Sequence, residues 1–387
     1  MNKMGSKRVF LVRNVNPEFY GGGETYQIKV AEELKKYNFK PYIVTSSLGL
    51  LKAAGEKNIE VVHAPFIKTQ NWSGWKNILF PIYAFRIFKL RKWYGKIFKQ
   101  YRPDVINIQS RDDWIAATGV AKKMGIKVLW TDHMDFRSWV LTNVNVWYKN
   151  LIGKWILRCA KEADKIIMIS DFERKSFEKI AGVGKYNLVT IKNGAKDERE
   201  KYGNIKYKKD SICYVGRVVE YKGIRELIMA FRRVLEKFKN VRLNIYGGGE
   251  DLEKYKKLAR GISEKIVFYG QTDEPLRALN ENEIFILPSY REGLSLSLLD
   301  AAMMGKKIIA SDVDGNPEVI QNAKTGLLVP VKNVKELTKA MMWMLEHKKQ
   351  ADKLAENARK YYKENFDFDK IFVEKMLPLY NIEKEKK

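Results

Sequence analysis

Apolar residues recur along this chain in two alternating rhythms: short unbroken runs of strand length, and longer stretches in which they return every three or four positions. The strand-like runs of the first half fall at 7–12, 41–46, 59–63, 104–108, 127–131 and 165–169, with helical stretches between them. The first run leads into a glycine-rich loop over 14–23 and then a helix expected over 24–37. Such alternation predicts an α/β protein whose strands lie parallel in a doubly wound sheet.

A second series follows the lysine-rich run 192–210, with strands expected at 211–215, 241–246, 265–269, 284–287 and 307–310. Helices are expected to start near Lys222, Glu250, Glu274 and Ser295, and to occupy 334–346, 349–366 and 369–380. The pattern divides the chain into a Rossmann-like domain over 1–192, a linker over 193–210, a second Rossmann-like domain over 211–366 and a terminal helix over 367–387 packed back on the first domain. Two such domains would face each other across a cleft lined by their strand ends.

Composition narrows the setting. No run of eighteen apolar residues occurs, so no transmembrane helix is expected, and no signal-peptide core precedes the first strand, which points to the cytoplasm. Cys159 and Cys213 lack metal or redox spacing and are expected to be free buried thiols. Net charge is +26, and residues 1–195, with 34 Lys+Arg against 16 Asp+Glu, carry most of it. A field of this sign attracts nucleic acid, anionic lipid or phosphorylated substrates.

The stretch 288–305 holds the densest candidate chemistry. Arg291, Glu292 and Gly293 stand where a strand would end, and Leu296, Leu299, Ala302 and Met303 then recur at helical spacing. Glu292 would lie in the turn and Asp300 about two turns into the helix. The amides of Leu294, Ser295 and Leu296 between them are placed to hold an anion. Arg217 after one strand and Lys222 before a helix suit a pyrophosphate, or are two surface cations of a basic chain. Gly22 and Gly23, and Gly247 in Tyr246-Gly-Gly-Gly-Glu250, allow close approach of a phosphate or sugar, or simply make tight turns.

In order and over nearly the whole chain, Gly21-Gly-Gly-Glu24, Gly216-Arg217 with Lys222-Gly223, Tyr246-Gly-Gly-Gly-Glu250 and Glu292-Gly-Leu-Ser-Leu-Ser-Leu-Leu-Asp300 resemble a known family. It is the group 1, family 4 set of retaining nucleotide-sugar glycosyltransferases, glycogen-synthase-like enzymes of the GT-B fold. The resemblance implies a donor held mostly by the second domain, an acceptor held mostly by the first, and retention at the anomeric carbon. It implies no obligatory metal and no cofactor, the nucleotide-diphosphate sugar being a substrate. Arg217 and Lys222 match the pair that neutralises the donor diphosphate, and Glu292 matches the acid on the transferred sugar's hydroxyls. His133 matches a histidine beside that sugar. Gly22, Gly23, Gly247, Leu294, Ser295 and Leu296 fall at donor-binding positions. Asp300 stands where a Glu usually binds the ribose and is one methylene shorter. Asn193-Gly194 resembles the hinge motif, with Lys196 where Asp often follows. Asp312 and Asp314 match a donor-side loop and are assigned no metal.

Residues 72–102 carry eight basic side chains and no acid, interleaved with aromatics. On a helix, Leu90, Tyr94, Ile97 and Tyr101 line one face while Lys89, Lys92, Lys96 and Lys99 lie largely on another. This helix either lies on an anionic membrane surface or packs on the sheet with its lysines in solvent. A second aromatic stretch, 136–147, is a candidate acceptor entrance. The expected activity is transfer of a hexosyl or N-acetylhexosaminyl unit onto a glycan or lipid-linked acceptor in cell-surface polysaccharide or glycolipid assembly, in the cytoplasm or peripherally on the inner membrane face. The competing readings are transfer to a soluble acceptor, or a nucleic-acid-binding protein with a vestigial sugar site.

Overall fold

The computed structural model describes residues 6–18, 20–66, 79–133, 136, 150–202 and 207–381. The chain forms two compact units, 1–191 with 371–387, and 192–370.

The first unit is built on β1 (Lys7–Val12), β2 (Phe39–Thr45), β3 (Glu60–His63), β4 (Val105–Ile108), β5 (Lys127–Asp132), β6 (Lys165–Met168) and β7 (Leu188–Thr190). They pair in parallel in the order β3-β2-β1-β4-β5-β6-β7. Helices cover both faces of such a sheet, so its central strands are apolar along their whole length. Val9 to Val12 and Ile106 are buried accordingly, and Trp114, Trp130 and Phe136 stack in the core beneath the helices. The terminal segment joins this unit: the Asn107 amide donates to the Tyr380 hydroxyl at 2.7 Å, and the Lys127 ammonium donates to the Asn381 carbonyl at 2.8 Å. It is helical without interruption over 368–380, a π-turn at Phe372–Met376 lying between the turns Phe368–Ile371 and Leu377–Tyr380.

The second unit contains β8 (Lys208–Val215), β9 (Arg242–Tyr246), β10 (Ile266–Gly270), β11 (Asn282–Leu287), β12 (Lys307–Ser311) and β13 (Leu327–Val329). Their order is β10-β9-β8-β11-β12-β13, again all parallel. The stretch expected as a linker folds into this unit. Its groups find partners there: the Asn193 side-chain amide donates to the Leu294 carbonyl, the Tyr362 hydroxyl donates to the Ala195 carbonyl, and β8 begins at Lys208. In both sheets the order reverses once, between β1 and β4 and between β8 and β11. At such a point neighbouring loops diverge beyond the carboxyl ends of the strands and leave a crevice that suits a ligand.

Candidate functional site

In the second unit the loops after β8, β9, β11 and β12 leave the same sheet edge. β8 runs into Gly216 and Arg217, then a short 3-10 turn over Glu220–Lys222 and the helix Ile224–Lys237. Gly223 links turn and helix at φ 72°, and a Cβ there would lie 2.0 Å from the Pro288 carbonyl oxygen. No side chain fits that position, so the loops after β8 and β11 touch through backbone. Gly247 does the same after β9: at φ 147° a Cβ would lie 1.7 Å from the Gly216 carbonyl oxygen.

This close packing gathers charge. The Lys222 ammonium lies 2.7 Å from Glu292 Oε1, with the two side chains only 14% and 8% exposed. The Glu292 amide donates to Asp314 Oδ2 at 2.9 Å, tying the loop after β11 to the loop after β12. Tyr221 was not singled out in the sequence, yet three cations surround its ring, Arg291 at 4.9 Å, Lys222 at 5.5 Å and Arg217 at 5.7 Å. The Arg217 guanidinium also donates to the Tyr221 hydroxyl, and the Tyr214 hydroxyl donates to the Arg217 carbonyl at 2.6 Å. Cations over a phenol face are attracted by its negative quadrupole, which helps to hold like charges close together.

The helix after β11 is Leu296–Met304, with Ser295 as its N-cap; that side chain makes no capping bond, and the first turn carries no acid. The amides at this start have no side-chain partner from the cap, and Leu294 and Ser295 are buried beside Glu292. Asp300 is the fifth residue of the helix, about one and a half turns in rather than two. Among the described residues no group of three or more His, Cys, Asp or Glu is arranged to hold a metal ion.

In the first unit the edge of interest lies after β1, β4 and β5. The helix Gly22–Lys36 starts within the glycine run. Its buried Glu24 accepts from the Gly21 amide at 2.9 Å and from Arg13 Nε at 2.6 Å, and Arg13 Nη1 reaches the Gln109 carbonyl at 3.2 Å. Gly22 and Gly23 are thus held by an ion pair, and a Cβ on Gly23 would press on the Arg13 guanidinium at 2.5 Å. His133 follows β5. Its Nε2 is 2.6 Å from Gln109 Oε1, and its ring meets Tyr26 edge-on at 6.1 Å. Burial, reinforced by the charge of Arg13, pushes its pKa down to about 3, so the imidazole is neutral. With Nε2–H donated to Gln109, Nδ1 is left as an acceptor.

Asp113, also missed in the sequence, is buried in the first turn of the helix Arg111–Lys123 and accepts from the Ser110 hydroxyl at 2.5 Å and the Tyr94 hydroxyl at 2.6 Å. Burial pushes its pKa up to about 7 despite these bonds. Of the aromatic stretch proposed as an acceptor entrance, only Phe136 lies within the described residues, and it is a core residue stacked 4.7 Å from Trp114.

Comparison with known proteins places this geometry. Residues 195–361 match the family described as glycosyl transferases group 1, and residues 20–199 match glycosyltransferase family 4. The chain belongs to the group 1 glycosyltransferases of the GT-B fold. It is 27% identical over 376 residues to an uncharacterized glycosyltransferase of Methanocaldococcus jannaschii, covering 90% of this chain and 92% of that one. Over 177 residues it is 31% identical to the N,N'-diacetylbacillosaminyl-diphospho-undecaprenol alpha-1,3-N-acetylgalactosaminyltransferase of Campylobacter jejuni, 45% of each chain. Anabaena HepE, solved in complex with UDP and glucose, superposes with a TM-score of 0.73 at 16% identity, over 97% of this glycosyltransferase and 100% of HepE. Sugar transfer is therefore the activity of this family, and the edge after β8 and β11 is where Arg217, Lys222, Arg291 and Glu292 come together.

Proposed function

We propose that the protein moves a hexosyl or N-acetylhexosaminyl unit from a nucleotide-diphosphate donor to a glycan or lipid-linked glycan, with retention at the anomeric carbon. The cluster of Arg217, Lys222 and Glu292 around Tyr221 is the observation that carries this reading. In it the donor diphosphate meets Arg217, Lys222 and the amides of Leu294, Ser295 and Leu296, with Gly247 permitting close approach. When the bond from the anomeric carbon to the phosphate oxygen breaks, its electron pair stays on the diphosphate, and fixed cations stabilise that charge as it develops. An ammonium has three donors, so Lys222 can keep Glu292 and still serve a phosphate. Glu292 Oε2 is then free of that bond and can accept from a sugar hydroxyl.

On the first unit, the neutral His133 leaves Nδ1 to accept from a sugar hydroxyl, and Gly22 and Gly23 give the backbone room beside it. The acceptor oxygen attacks from the face the nucleotide leaves, and its proton passes to the departing phosphate oxygen. Asp300 reaches for the ribose. HepE holding UDP and glucose supports the donor class, and the Campylobacter relative, named for a diphospho-undecaprenol substrate, supports a lipid-linked acceptor. A thermal-shift panel of nucleotide sugars tests this: a true donor at 100 times its Kd stabilises the protein by ~2.7 kcal/mol. Arg217→Ala and Glu292→Ala should each abolish turnover of that donor. Unchanged transfer in either variant refutes the assignment.

A further inference from the structure

We propose that the outer face of the helix Phe80–Tyr101 is a docking surface for an anionic lipid bilayer. The helix has two unlike sides. Its inner side, Tyr83, Ile87, Leu90, Tyr94 and Phe98, is buried in the core of the first unit. Two hydroxyls anchor that side, Tyr83 donating to Asp112 at 2.7 Å and Tyr94 to Asp113 at 2.6 Å. The outer side is in solvent, and it is not the polar surface that a helix on a sheet normally presents.

Three large apolar side chains project from its amino-terminal half: Ile82 is 50% exposed, Phe85 56% and Phe88 51%. Arg86, Lys89, Lys92, Lys96 and Lys99 are exposed on the same side and continue it to the carboxyl end, and the helix contains no acid. The two sets interlock, with the Lys89 ammonium 4.7 Å from the Phe85 ring and the Lys92 ammonium 4.7 Å from the Phe88 ring. Residues 72–78, which extend the basic and aromatic composition, lie outside the described residues.

An apolar strip flanked by long basic side chains is what an in-plane helix needs at a lipid surface. The rings enter the acyl boundary, while the lysine stems follow them and leave the ammonium groups among the phosphates. A nucleic acid would use the same cations but gives Ile82 nothing to bury in. The absence of any acid on the helix matches a negatively charged surface and repels a basic one.

Co-sedimentation of the full chain with vesicles tests this without any sugar transfer, so its failure is separate from failure of the proposed activity. Phosphatidylcholine vesicles containing phosphatidylglycerol should bind the protein at low salt, and vesicles of phosphatidylcholine alone should bind it far less. Removing two cations, as in Lys89→Gln with Lys92→Gln, should weaken partitioning about thirtyfold, each basic group near the surface being worth about fivefold. Phe85→Ser with Phe88→Ser should also weaken it while leaving salt sensitivity in place. Both pairs are exposed, and circular dichroism melts matching the parent confirm that each variant folds. No binding to anionic vesicles at low salt overturns the proposal. So does vesicle binding that the Phe85→Ser, Phe88→Ser variant retains in full, alongside equally tight binding to duplex DNA, since that result describes a general polyanion surface.

Discussion

Asp113 and His133 act on stability in opposite directions over overlapping pH ranges, so replacing one should expose the other. The His133 pKa is about 3 in the folded chain against an ordinary 6.5. Between those values the unfolded chain holds the extra proton, and this contribution to stability is lost as pH falls below 6.5. Asp113 is raised to about 7 from an ordinary 3.8. Between those values the folded chain holds the extra proton, and stability is lost as pH rises through the range. Each slope is about 1.4 kcal/mol per pH unit, so from 3.8 to 6.5 the two nearly cancel. Asp113→Asn removes one of them. Its stability relative to the parent should therefore climb by about 4 kcal/mol between those limits as pH rises. The offset at a single pH also contains the altered bonds to Ser110 and Tyr94, which makes the slope the quantity to read. Urea titrations at several pH values, followed by the fluorescence of the buried Trp114 and Trp130 in the same unit, supply it. Groups common to both proteins cancel in the difference. Parallel curves for the parent and Asp113→Asn would refute the argument, because they would mean a carboxyl ionised throughout; His133→Gln should bend the opposite way.

Gly223→Ala should destabilise the second unit by about 1–3 kcal/mol from backbone strain alone, with the clash at the Pro288 carbonyl adding to that. Calorimetry of this variant should show a lowered transition, and an unshifted Tm would contradict the close loop contact. Gly95 is the converse case: it lies inside the helix Phe80–Tyr101 with nothing within 4 Å of its missing Cβ. Gly95→Ala should stabilise by about 0.5–1 kcal/mol in the same measurement. Tyr221→Leu should weaken donor binding about tenfold by calorimetric titration as the three cations lose their shared ring, and Tyr221→Phe should lose less.

Much of the fold was readable because parallel strands buried on both faces appear as unbroken apolar runs. Among the described residues, eleven of the strands fall on the runs expected from the sequence. The other two, β7 and β13, are three residues each at sheet edges, too short to stand out from their surroundings. Positions set by a local pattern were readable too: Glu292 lies in the loop after a strand, Lys222 precedes a helix, and the glycines mark turns. Arg13, Gln109, Asp113 and Tyr221 were not, for a common reason. Arg13 and Gln109 are 96 positions apart and meet only because β1 and β4 are neighbours. Tyr221 resembles any aromatic beside a helix start until Arg291, from another strand's loop, is seen over its ring.

The charged pair in the second unit shows how sequence order and sheet order combine. Lys222 and Glu292 are 70 residues apart, and no spacing rule joins them. What joins them is the pairing of β8 with β11, in register Ile212 with Ile284 and Cys213 with Phe285. Those four residues are fully buried, and a slip by one position would turn each to the opposite face of the sheet. The apolar core therefore sets where the two loops emerge, and the backbone contact of Gly223 with Pro288 sets how near they come. Within those constraints a lysine at 222 and a glutamate at 292 meet without further adjustment. Shortening Glu to Asp at 300 changes none of this, since that residue is carried by the helix and not by the loop contact. Under the proposed donor assignment, a shorter side chain at 300 changes only the reach toward the ribose, while the loop contact of Gly223 with Pro288 keeps the geometry proposed for the diphosphate end.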